Sequence, residues 1–160
     1  MSKLGRLSLF LFALGLFGCD HATKIAAEGQ LAGGRIVPLV DGVLELRYAP
    51  NNDTAFSLLH RTGLPTPPWM LVAISALAAA AVFFAWFRRR SGPLVEHVGF
   101  ALVAAGALGN VVDRALRGYV VDFIHLTRWP IFNVADVAVV LGAVILVLCA
   151  SSRRRTPQHR

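Results

Sequence analysis

Four long apolar stretches, separated by polar segments, organise the chain. The first is uncharged from Leu7 to Cys19 and continues through Asp20 and Lys24 to Ala27, and the second, Trp69 to Phe87, carries no charge at all. The third runs from Pro93 to Val112 with Glu96 and His97 near its start, and the fourth, Ile131 to Ala150, contains one charge, Asp136. Each is close to the ~20 residues that a helix rising 1.5 Å per residue needs to cross a ~30 Å hydrocarbon core. The pattern predicts membrane spans over about residues 4–27, 69–87, 93–112 and 131–150, an outer loop over about 28–68 and a short outer connection over about 113–130. The long loop has a pattern of its own. Ile36–Val40 and Val43–Tyr48 flank Asp41-Gly42, and Leu44, Leu46 and Tyr48 alternate with Glu45 and Arg47. Asp-Gly between strand-like runs signals a hairpin, and the alternation gives it one apolar face. The expected fold is an all-α integral membrane protein of four helices, one membrane domain over 1–160, with a small extracytoplasmic β-hairpin or sheet as a flap.

Composition sharpens this reading. Of 160 residues 56% are hydrophobic and only 16% charged, where a soluble domain carries about 25% charge. Disorder, a coiled coil and an ordinary soluble enzyme are excluded. The net charge of +7 matters through its position. Lys3 and Arg6 precede the first span, Arg88–Arg90 follow the second and Arg153–Arg155 follow the fourth. All three clusters fall on one side, which the positive-inside rule makes cytoplasmic, with both termini there. Arg114, Arg117 and Arg128 in the last outer connection dissent mildly and are outweighed. These are membrane flanks and not a nucleic-acid footprint. Leu16-Phe17-Gly18-Cys19 has the look of a lipoprotein cleavage site, but Phe17 is large for its place and three further spans follow. Cys19 and Cys149 lie most of a membrane apart and are expected as free thiols.

Ionisable groups within spans are costly and are therefore functional candidates. Asp20 and Lys24 lie ~24–30 Å along the first span. Asn110 and Asp113 come equally late in the third, while Asn133 and Asp136 come early in the fourth, which enters from outside. Three helices thus bring polar groups to one level near the outer interface, and Asp122 lies close to it. Asp20 and Lys24, spaced i, i+4, have the order of a helical ion pair. Asp113 with Arg114 reads as a structural pair at the interface. Asp136 has no basic neighbour in its own helix, so another group must share its charge or proton. Asp122, in the apolar strip Tyr119–Ile124 expected against the membrane surface, is one such partner. Two close carboxylates share a proton, one acting as general base on water while the other donates to a carbonyl oxygen. From the residues alone Asp20, Asp113, Asp122 and Asp136 can be paired in several ways. The five histidines show no metal-ligand spacing, Ser57 and Ser75 have no nucleophile-elbow context, and Gly106 and Gly109 suit close helix packing. No metal or cofactor is expected.

These clusters resemble the motifs of the lipoprotein signal peptidase (signal peptidase II) family. Asp20-His21-Ala22-Thr23-Lys24 is similar to its Asp-x-x-Ser/Thr-Lys motif, Asn51–Ser57 to its Asn-x-Gly-x-Ala-Phe-Ser segment, and Gly106–Arg114 to its Gly-x-x-Gly-Asn-x-x-Asp-Arg motif. Val121-Asp122-Phe123 and Phe132–Asp136 resemble its last two motifs. The order is the family's and the motifs span nearly the whole chain. The resemblance implies an intramembrane aspartic endopeptidase of the bacterial inner membrane. It would remove signal peptides from diacylglyceryl-modified prolipoproteins by cutting before the lipidated cysteine, and it would be inhibited by globomycin. Asp122 and Asp136 would be the catalytic dyad. Asp20, Lys24, Asn51, Asn110, Arg114 and Asn133 would support the site or hold substrate. Asp53 stands where the family usually has glycine, which predicts an altered loop shape. The expected partners are prolipoproteins and membrane lipid, with the chain a monomer. The rival readings are a small proton- or cation-coupled carrier and a non-catalytic assembly factor.

Overall fold

A computed structural model describes residues 3–52, 67–89 and 91–155. Asp53 and the rest of the motif segment after Asn52 lie outside the described residues. The elements in chain order are α1 (Lys3–Leu31), β1 (Ile36–Val40), β2 (Leu44–Asn51), α2 (Pro68–Arg88), α3 (Leu94–Arg117), β3 (Val120–Leu126) and α4 (Val134–Arg155). All four helices are long and apolar enough to span a membrane, and most of their large apolar side chains face outward. α3 is the central helix, packed against the other three and most extensively against α4.

Small residues make that α3–α4 packing close. A Cβ built on Gly106 would lie 2.4 Å from the Ala135 carbonyl oxygen, and one on Gly142 2.6 Å from that of Gly99. The backbones touch where only glycine leaves room. At the far end of the bundle from the sheet, Glu96 of α3 meets Arg89 at 3.1 Å and also pairs with Arg153 of α4. The arginine-bearing ends of α2 and α4 therefore gather at one end.

The hairpin forms where the alternation places it. β1 and β2 pair antiparallel through a turn at Asp41–Val43, with Gly42 at φ +68° and the Val43 N–H donating to Val40 at 3.0 Å. Leu46 and Tyr48 pack with Val37 on Ala27, Leu31 and Phe123, so the apolar face lies over the end of α1. The strip Val120–Leu126 is a third strand. It pairs antiparallel with β2, in the order β1-β2-β3, and is buried from Val120 to Phe123. The strip that the sequence places against the membrane surface thus takes the form of a sheet strand. α3 also runs past its apolar stretch to Arg117, so Asp113 and Arg114 belong to the helix and not to the outer connection. Gly118 then closes α3 at φ +82°, its N–H donating to the Arg114 carbonyl, the left-handed helix end that glycine accepts without strain. That cap turns the chain back directly into β3.

Candidate active site

The start of α4 places the first acid. Asn133 is buried ahead of the helix, its Oδ1 accepting the Asp136 N–H at 3.0 Å while its own N–H donates to Asp136 Oδ2 at 3.2 Å. This is a reciprocal capping box, with Asp in the place of the usual Glu. The Ala135 N–H donates to Asp20 Oδ1 at 2.9 Å, so α1 supplies a second cap to α4. The remaining Asp136 oxygen accepts from Asn110 Nδ2 at 2.8 Å. Partial positive charge at the helix N-terminus faces these carboxylates.

β3 places the second acid. Asp122 is paired with Ala49 across the sheet and is buried. Its Oδ1 accepts from Asn133 Nδ2 at 2.7 Å and its Oδ2 from Asn51 Nδ2 at 2.8 Å. Burial pushes the Asp122 carboxyl up to about 6, against the pull of the Asn51 and Asn133 hydrogen bonds, and the charge of Asp136 pushes the same way as burial. Asn133 thus touches both acids, through its side chain to Asp122 and through its main chain to Asp136.

Lys24 organises the floor. It is fully buried, and its ammonium lies 2.8 Å from Asp20 Oδ2, 2.9 Å from Asp113 Oδ2 and 2.9 Å from Asn110 Oδ1. Three donors meet three acceptors, which is what a buried ammonium needs. Asn110 Oδ1 also accepts from Asn133 Nδ2 at 3.2 Å. Gly109 makes room for this arrangement, since a Cβ there would lie 2.5 Å from Asp20 Oδ2. The Asp20–Lys24 pair anticipated from its spacing is present. Asp113, expected to pair with Arg114, takes Lys24 and Arg117 as its cations instead. Residues one apart diverge around a helix, whereas residues four apart share a face. Asp113 also accepts the Val121 N–H at 3.3 Å, a contact to β3 that sequence reasoning missed.

The structure therefore brings Asp20, Lys24, Asn51, Asn110, Asn133, Asp122 and Asp136 into one continuous network. Arg114 lies one turn beyond Asn110. Cys19 and Cys149 are free thiols. Among the described residues no group of three or more His, Cys, Asp or Glu is arranged to hold a metal ion.

The family model for signal peptidase (SPase) II matches residues 12–151, which takes in every element of this network. The chain belongs to the signal peptidase II family. The lipoprotein signal peptidase of Pelotomaculum thermopropionicum is 37% identical over 138 residues, covering 86% of this chain and 88% of that protein. That of Ralstonia nicotianae is 40% identical over 134 residues, covering 81% and 75%. The fold is that of a solved bacterial membrane enzyme, with a TM-score of 0.82 at 24% identity over 96% of this chain and 93% of that one. A second bacterial membrane enzyme matches with a TM-score of 0.78 at 25% identity over 89% and 92%. As a member of this family with four helices long enough to cross a membrane, the chain is a multi-pass bacterial membrane protein and a peptidase.

Proposed function

We propose that this protein is an aspartic endopeptidase that cleaves diacylglyceryl-prolipoproteins immediately before the lipidated cysteine, with Asp122 and Asp136 as its catalytic pair. The observation that carries the proposal is the bridging of these two carboxylates, from different elements, by a single asparagine. The raised Asp122 carboxyl supports one shared proton, because two adjacent carboxylates resist simultaneous ionisation.

The reaction follows from that shared proton. The ionised carboxylate takes a proton from water as its oxygen attacks the scissile carbonyl, and the protonated one donates to the carbonyl oxygen. In the resulting tetrahedral diol, one hydroxyl returns its proton to a carboxylate as the C–N bond breaks. The departing nitrogen takes a proton from the other carboxyl, leaving a free acid, a free amine and the pair with its single proton. Asn51, Asn110 and Asn133 hold the carboxylates in place without adding charge. Asp20 and Lys24 fix α1 to α3 and α4, and Arg114 supports the end of α3. A diacylated cysteine keeps its acyl chains in the outer leaflet, which sets the scissile bond at the depth of the polar network. The sheet clamps the peptide from above, and lipid enters between helices.

In this reading the arginine-bearing ends and both termini are cytoplasmic, the enzyme sits in the inner membrane as a monomer, and globomycin blocks the pair. The test is cleavage of a synthetic diacylglyceryl-prolipoprotein peptide in detergent by wild type, Asp122→Asn and Asp136→Asn. Wild type cleaves before the lipidated cysteine and both variants lose activity by at least ~10³-fold. Cleavage surviving both substitutions refutes the catalytic pair. Equal cleavage of an unlipidated peptide removes the lipid requirement.

A further inference from the structure

Beyond the network at the acids, a second run of polar contacts leads outward from Asp113 to the sheet. Arg117 pairs with Asp113 on α3 and lies 3.4 Å from Glu28 Oε2 on α1. The other Glu28 oxygen accepts from the Tyr119 hydroxyl at 3.2 Å, and the Tyr119 oxygen accepts from the Tyr48 hydroxyl of β2 at 3.1 Å. Burial, followed by the Tyr119 hydrogen bond, raises the Tyr48 phenol to about 12, so Tyr48 remains a donor throughout the working range. Every link has a donor on one side and an acceptor on the other.

The inner end of this run reaches both acids. Asp113 Oδ2 accepts the Val121 N–H, one residue from Asp122. The same oxygen takes Lys24, which holds Asn110, which in turn donates to Asp136. β2 therefore reaches the acids twice: directly through Asn51, and through Tyr48, Tyr119, Glu28, Arg117 and Asp113. We infer that Arg117 is a positioning residue for the proposed peptidase reaction, tying the sheet to the catalytic pair by clamping Glu28 and Asp113 with one guanidinium. It touches no reacting atom. Arginine suits the place because its planar fork engages two carboxylates at once, while lysine offers a point charge. None of the sequence motifs singled out Arg117, Glu28, Tyr119 or Tyr48.

The inference rests on the peptidase reading, and the experiment separates the two. Full-length wild type, Arg117→Met, Arg117→Lys and Glu28→Gln are assayed in detergent on the same diacylglyceryl-prolipoprotein peptide, with Asp122→Asn and Asp136→Asn as references. A displaced catalytic group costs up to ~10²-fold in turnover. Arg117→Met is therefore expected to lower kcat ~10- to 100-fold with KM within ~3-fold, because the clamp acts on the pair and not on bound substrate. Arg117→Lys recovers part of kcat. Glu28→Gln replaces a partly exposed side chain, keeps the fold, and lowers kcat ~3-fold at unchanged KM. An Arg117→Met enzyme with wild-type kcat, or with its loss confined to KM, overturns the inference. If Arg117→Met does not fold, Glu28→Gln decides, and an unchanged kcat there overturns it equally. Full activity in the two Asp→Asn references refutes the peptidase reading itself, whatever the Arg117 variants do.

Discussion

Lys24→Met tests the network at its most heavily bonded point. Methionine keeps an unbranched stem of similar length and removes the ammonium. Lys24 is fully buried and holds Asp20 at 2.8 Å and Asp113 and Asn110 at 2.9 Å each. The two acids do not suffer equally. Asp113 retains Arg117 and the Val121 N–H, whereas Asp20 keeps the Ala135 N–H and loses its cation. Stranding one charge of a buried pair costs ~3–5 kcal/mol, a large part of the ~5–15 kcal/mol that holds a typical domain together. At ~2–4 °C per kcal/mol for a chain of this size, the melting temperature falls by ~6–20 °C. Adding Asp20→Asn removes the stranded charge and restores ~1–3 kcal/mol. Thermal unfolding of detergent-solubilised protein, followed by fluorescence, reads both steps. A Lys24→Met melting temperature within ~2 °C of wild type refutes the reasoning. So does a double variant less stable than the single.

Three further outcomes follow from named contacts. Asp122 holds its proton more tightly when folded, its carboxyl raised from 3.8 to about 6; the stability this adds is complete below pH 3.8 and is lost as pH rises through about 6. Denaturation across that window therefore shows wild type losing stability relative to Asp122→Asn, and cleavage declines on the alkaline side as the shared proton leaves. Asn133→Ala removes the Asp122 tether and the α4 cap together, so turnover falls at least ~10-fold while stability drops by ~1–3 kcal/mol. Kinetics and melting measured on one sample reveal that split. Gly106→Ala drives a methyl group against the Ala135 carbonyl oxygen and destabilises by ~1–3 kcal/mol, read as a lower melting temperature, whereas Gly15→Ala, with open space around it inside α1, does not lower the melting temperature and gains up to ~1 kcal/mol in helix propensity.

Local patterns made the four helices and the depth of their polar groups legible, because hydropathy and the i, i+4 rule act within one element. The helix ends were less so. A run of apolar residues stops at the first charge, but α3 continues through Asp113, Arg114 and Arg117, whose charges meet partners from other elements. β3 escaped notice for the opposite reason. Val120, Val121, Asp122 and Phe123 are all buried, so the strand shows no alternation, and its pairing with β2 joins distant parts of the chain. Asp136 was singled out for lacking a charge partner, yet the spacing Asn133-x-x-Asp136 already carried the capping-box signal that explains where its carboxylate turns. Arg117 was likewise visible four residues after Asp113, but adjacency drew attention to Arg114.

Ile124 and Phe132 exchange main-chain hydrogen bonds at 2.8 and 3.0 Å, folding the end of β3 back beside the start of α4. Asp122, Asn133 and Asp136 are thereby held in one short stretch of chain, on which β2 acts from the other side by pairing with β3 and by the Asn51 hydrogen bond to Asp122. A change in the β1–β2 hairpin is therefore passed to Asp122 across a single strand pairing, so hairpin and acid are constrained to vary together.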